Sequence, residues 1–151
     1  MNSRLHIKKT SSIKAVFPAD CGTALQRPLF LSGVSAGFPS PADDYLDRKL
    51  DLNEHLVKNP AATFFVRVAG DSMLGAGIND NDILVVDRSL EPCSGSIVIA
   101  VVNGELTVKR LIKSKTSCRL AAENPDYPDL KIDEETPLEI WGVATYAIHS
   151  L

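Results

Sequence analysis

Cysteine is scarce and poorly placed for chemistry. Cys21, Cys93 and Cys118 lie far apart, and the sequence has no CxxC or Cys/His spacing suited to a metal. No metal and no cofactor is expected. An odd, sparse set also argues against a disulfide framework and fits a reducing cytoplasm. Long hydrophobic runs are missing too. Ile97–Val102, six residues, is the longest, where a membrane span requires ~20, so no membrane partner is expected. Positive charge is not in excess, with 16 Lys+Arg against 19 Asp+Glu and a net charge of −3. Broad contact with nucleic acid needs clustered Lys and Arg, so no direct specific DNA binding is expected. A helix-turn-helix has no room either, because Pro18, Gly22, Pro28, Gly33 and Pro39 interrupt the first 39 residues.

A secretory leader is the one targeting signal to weigh. Pro28-Leu-Phe-Leu31 followed by Val34-Ser35-Ala36 has the small-residue ending of such a leader, but Asp20 and Arg27 break the apolar stretch. Secretion is therefore not expected, and a cytoplasmic protein is.

What is present is an ordinary globular composition. The chain has 151 residues, 44% hydrophobic and 23% charged, enough for one hydrophobic core. The charge is lopsided: Arg4, Lys8, Lys9 and Lys14 precede the first acid, Asp20, so residues 1–36 carry +4 and the remainder −7. The first 40 residues read as an extended or loosely attached arm with no helical apolar period. Ser40-Pro41-Ala-Asp-Asp44 carries helix-start signals, a Ser cap, Pro in the first turn and acids at the positive dipole end. A helix to about Leu50 is expected there. Asp51-Leu-Asn-Glu54 opens a second, short helix that Pro60 stops.

From Ala62 onward the pattern is that of strands: Thr63–Val68, Ile83–Val86, Ser96–Val102, Glu105–Ile112 and Leu138–Ala147. Asn103-Gly104 is a strong two-residue hairpin signal, and Ile97–Val102, apolar throughout, is expected to be covered on both faces. The predicted architecture is mainly β. A compact body of twisted antiparallel strands with one or two short N-terminal helices spans residues 41–151, and the arm spans residues 1–40.

Chemistry is sought first at Gly70-Asp71-Ser72-Met73, where the first of these strands ends. A sharp turn can present a Ser hydroxyl beside backbone N–H groups, although the tetrapeptide alone favours a plain turn. Ser needs a base, and His6, His55 and His149 stand in no informative setting. Lys109 does. Pairing across Asn103-Gly104 sets Lys109 opposite Val98, and alternation places Glu105, Thr107, Lys109 and Leu111 on one face. An ammonium beside an apolar strand is poorly solvated, which lowers its pKa and makes a neutral amine available as a general base. A lysine that reaches solvent from a strand edge is the other outcome, and position alone does not separate the two. Arg110, on the opposite face, is expected at the surface.

Taken together, Gly70-Asp-Ser-Met73, Gly77-Ile78, Asp80-Asn-Asp-Ile-Leu-Val-Val-Asp87, Ile97-Val-Ile-Ala100 and Gly104-Glu-Leu-Thr-Val-Lys-Arg110 resemble the LexA-like self-cleaving serine peptidases. Gly37-Phe-Pro-Ser-Pro-Ala42, Asp51-Leu-Asn53 and Ala62-Thr-Phe-Phe-Val66 extend the likeness over residues 34 to 147, and the 37 residues from Ser72 to Lys109 match the family's spacing. The resemblance implies an autocatalytic serine peptidase with a Ser–Lys dyad, Ser72 as nucleophile and Lys109 as base. It also implies an oxyanion site from backbone N–H groups at Asp71 and Ser72, and a cleavage site at Ala36-Gly37. It further implies stimulation by the RecA filament on single-stranded DNA during the SOS response, a homodimer, and a Y-family polymerase subunit of the UmuC type as partner in translesion synthesis. Ser96 departs from the acid common in relatives before the apolar strand, at a position with no catalytic role. A transcriptional regulator lacking its own helix-turn-helix is the alternative; a scaffold without activity is disfavoured by the intact Ser, Lys and Ala-Gly.

Overall fold

The structure is a computed structural model that describes residues 12–22, 24, 26–30 and 46–151. Among these lie β1 (Ile13–Pro18), β2 (Gln26–Phe30), β3 (Leu46–Asp51), α1 (Leu52–Leu56), β4 (Thr63–Val68), β5 (Ile83–Asp87), β6 (Ile97–Val102), β7 (Glu105–Lys113), β8 (Cys118–Ala121), β9 (Leu130–Ile132) and β10 (Leu138–Ile148). Eight strands form one antiparallel sheet in the order β1-β4-β5-β10-β6-β7-β8-β9, and β2 pairs with β3 in a separate ribbon. The architecture is mainly β and curled, as the sequence predicts. The register of β10 shifts at Ala144/Tyr146 against β5 and at Ile140/Gly142 against β6; such irregularities bend a sheet and increase its twist.

The β6–β7 hairpin follows from local chemistry. Asn103 and Gly104 both take positive φ, 50° and 80°, as the tight primed turn requires. The resulting register sets Val98 opposite Lys109 and Ile99 opposite Val108. Strand β6 then buries both faces. Ile99 packs with Val66, Val68, Met73, Ile78, Leu84, Val86 and Val108 in one cluster, while Val98, Ala100 and Val102 join Leu111 and Leu120 in another. Each Val, Leu, Ile or Met side chain among them contributes about 1.5–3 kcal/mol on full burial. Phe64 and Trp141 border the first cluster in an edge-to-face contact at 6.3 Å.

The N-terminal half departs from expectation in two ways. The helix expected to reach Leu50 is absent over its last part, where Leu46–Asp51 is strand β3 paired to β2. Its cap signals, Ser40 to Asp44, lie outside the described residues. A helix of that length is marginal alone, and a neighbouring extended segment satisfies the same backbone groups through a ladder. The second helix does form as α1, with the Asp51 side chain accepting from the Asn53 N–H at 3.0 Å. The other departure is in the arm. Its residues 13–18 are extended, and β1 is paired as the edge strand of the main sheet against β4, with Pro18 opposite Phe64 and Ile13 opposite Val68.

Candidate active site

The turn after β4 begins at Gly70, whose φ of +82° is open to glycine and costly for other residues. The Gly70 N–H donates to Asp80 Oδ1 at 2.8 Å, and this bond, with the Lys14 ammonium, holds the Asp80 carboxyl below its ordinary range. Met73 is 1% exposed and anchors the turn in the first core cluster. A second segment braces the turn from outside. The Ser72 carbonyl accepts from the Glu123 N–H at 2.9 Å, Gly75 N–H donates to the Glu123 carbonyl at 2.7 Å, and Asn124 Nδ2 donates to the Asp71 carbonyl at 2.9 Å. Tyr127 completes the brace by donating its phenol to Asp71 Oδ1 at 2.5 Å, which raises the phenol's pKa.

The core anchor and the brace hold Ser72 against β7. Ser72 is 5% exposed and Lys109 is 4% exposed, and Lys109 Nζ lies 3.2 Å from Ser72 Oγ. Lys109 Nζ also donates to Thr107 Oγ1 and to the Val108 carbonyl, each at 3.1 Å. Burial lowers the Lys109 pKa from 10.5 to about 8, because removing water disfavours the charged form. A neutral amine has two N–H donors and one lone pair. Thr107 and the Val108 carbonyl match the two donors, and the lone pair is left for the Ser72 hydroxyl proton. The arrangement can therefore accept a proton from Ser72 when Lys109 is neutral.

Of the residues singled out from sequence, Ser72 and Lys109 are in contact and Asp71 lies in the same turn. The N–H groups of Asp71 and Ser72 bond to no backbone carbonyl among the described residues. Ala36 and Gly37 lie outside the described residues. Arg110 is half-buried at the surface, in an ion pair with Glu123 and donating to the Gly95 carbonyl at 2.6 Å. Ser96 serves its turn, accepting from the Cys93 N–H at 3.1 Å. Thr107, Tyr127 and Ser12 are not among the residues singled out from sequence. Thr107 is within reach of a sequence reading, since strand alternation sets this hydroxyl on the Lys109 face. Tyr127 and Ser12 carry no local signal.

A buried serine hydroxyl thus lies against a buried lysine on a curled antiparallel sheet. The chain belongs to the Peptidase S24-like family, which it matches over residues 28–145. Among curated relatives it is similar to MucA of Salmonella typhimurium, 48% identical over 122 residues that cover 80% of this chain and 83% of that protein. SamA of Salmonella typhimurium strain LT2 is 50% identical over 122 residues, covering 81% and 84%. The LexA repressor of Shewanella denitrificans is 39% identical over 114 residues, 76% of this chain and 55% of the repressor. The LexA-like resemblance drawn from the motifs holds, and within it the chain is of the UmuD-like kind. No helix among the described residues is long and apolar enough to cross a membrane.

Proposed function

We propose that the protein is a self-processing serine peptidase of the SOS response that cuts its own Ala36–Gly37 bond. The observation that carries this reading is the 3.2 Å contact between Lys109 Nζ and Ser72 Oγ, in a lysine whose pKa burial lowers to about 8. Neutral Lys109 takes the Ser72 proton as Ser72 Oγ attacks the Ala36 carbonyl carbon. The backbone N–H groups at Asp71 and Ser72 stabilise the oxyanion. The Ala36–Gly37 C–N bond then breaks, Lys109 returns the proton to the leaving Gly37 amine, and an ester joins Ala36 to Ser72. Water, deprotonated by the same amine, attacks the ester and frees Ser72.

The separation into an arm, residues 1–40, and a peptidase body, residues 41–151, belongs to this proposal. Cleavage removes a +4 segment from a −7 remainder, so the net charge of the working protein changes from −3 to −7. The RecA filament on single-stranded DNA stimulates the reaction. The processed homodimer then joins a Y-family polymerase subunit of the UmuC type in the cytoplasm and supports translesion synthesis. Kinship with MucA, SamA and LexA supports these assignments.

The test is to hold purified protein at alkaline pH and weigh the products by mass spectrometry. Fragments 1–36 and 37–151 are expected from the wild type and from neither Ser72→Ala nor Lys109→Ala. Cleavage at another bond, or in the Ser72→Ala chain, overturns the reading.

A further inference from the structure

Ser12 is a buried hydroxyl that the proposed chemistry leaves without a task. It lies just before β1, in the arm, and is 3% exposed. Its carbonyl accepts from the Ala69 N–H at 2.7 Å, which extends the β1–β4 pairing up to the edge of the Ser72 turn. Its side chain reaches β7, where Oγ accepts from the Val108 N–H at 2.8 Å and sits 2.9 Å from Thr107 Oγ1.

The contact answers a gap in the sheet. Strand β8 pairs with β7 from Arg110 onward, opposite Ala121, so the Val108 N–H and carbonyl lie beyond the end of that ladder. A buried backbone group without a partner costs about 1–3 kcal/mol. Ser12 Oγ takes the N–H, and Lys109 Nζ takes the carbonyl. Thr107 joins the two, because it accepts from Lys109 Nζ at 3.1 Å and can pass its own proton to Ser12. Serine and threonine hydroxyls rotate freely unless a second partner fixes them. With Ser12 in place, Thr107 and the Val108 carbonyl hold both N–H groups of a neutral Lys109, and its lone pair faces Ser72.

We propose that Ser12 is a positioning residue for Lys109, so that the arm to be cut also completes the site that cuts it. This rests on the reading of Ser72 and Lys109 as nucleophile and base. The consequence is regulatory: cutting at Ala36–Gly37 severs the covalent link between Ser12 and the site. Once the 1–36 fragment leaves, Thr107 loses its fixed partner and the processed protein is a poorer peptidase than its precursor.

The test uses the full-length chain and two substitutions of nearly equal shape, Ser12→Thr, which keeps the hydroxyl, and Ser12→Val, which removes it. The first readout is the rate at which a fluorophosphonate labels Ser72, located by mass spectrometry, and the second is self-cleavage at alkaline pH. Thermal melts check that both variants fold. Ser12→Thr is expected to label and cleave within about threefold of wild type, and Ser12→Val about tenfold more slowly than Ser12→Thr, the loss of one positioning hydrogen bond. Equal rates for the two variants overturn the proposal, whatever their melting temperatures. A wild-type chain that labels at Ser72 but never cuts itself strikes the self-cleavage reading instead, and the labelling rates still decide the role of Ser12.

Discussion

Lys109 Nζ and Ser72 Oγ lie 3.2 Å apart in a site where neither residue is more than 5% exposed. They come from elements with no local relationship. Ser72 follows β4 in a turn anchored by Met73, whereas Lys109 is placed by the register of the β6–β7 hairpin. A one-residue slip in that hairpin would carry Lys109 to the opposite face. The Asn103-Gly104 turn therefore sets the Ser72–Lys109 contact as well as the local fold.

Replacing Lys109 distinguishes a base from a mere cation. Lys109→Ala removes the amine, and Lys109→Arg keeps a positive charge that never becomes neutral near physiological pH. Both are expected to slow self-cleavage by about 10²–10⁴-fold, the usual worth of a general base. Accumulation of the 37–151 fragment on a denaturing gel measures this. A Lys109→Arg chain that cuts at the wild-type rate would show that only the charge was needed.

The same lysine links stability to pH. Its pKa falls from 10.5 to about 8 on folding, so within that window the unfolded chain holds a proton that the native chain has released. Stability contributed by this group accordingly rises with pH from about 8 to 10.5, and the penalty is fully present below that window. At 1.4 kcal/mol per pH unit the penalty is about 3 kcal/mol. Urea unfolding of wild type and Lys109→Met at pH 7 and pH 10.5 is expected to shift by that amount in the wild type's favour at the higher pH. A constant difference between the two proteins contradicts a titrating buried lysine.

Tyr127 braces the Ser72 turn through Asp71. Tyr127→Phe removes the phenol bonded to Asp71 Oδ1 at 2.5 Å. Because this contact is at the surface, global stability is expected to change by less than about 1 kcal/mol. Self-cleavage is expected to slow about three- to tenfold as the turn loosens, following the same one-bond magnitude. A melt together with a cleavage time course separates the two effects. A large drop in melting temperature would make Tyr127 a folding residue instead.

Much of this was legible in the sequence, for reasons that particular residues make plain. Thr63–Val68 stands in the structure with the bounds its β-rich composition predicts, and the Asn103-Gly104 turn by itself sets the Val98–Lys109 pairing that the sheet shows. These signals are local. Strands β8 and β9, with four and three residues, are too short to show a period. Strands β1 to β3 were missed because their partners are distant: the propensity of Leu46–Leu50 for helix yields to a ladder with Gln26–Phe30. Thr107 was readable from alternation on β7. Ser12 was not, since its partners Thr107 and Val108 lie 95 and 96 residues away.

The role proposed for Lys109 is measured by the rate of self-cleavage against pH, with fragment masses taken at each point. A buried Lys109 with a pKa of about 8 is neutral in about one molecule in ten at pH 7 and in about nine in ten at pH 9. The rate is expected to rise about tenfold across that interval and then level, with products 1–36 and 37–151 throughout. A rate that stays flat from pH 7 to pH 10 would contradict the assignment of Lys109 as the base for Ser72.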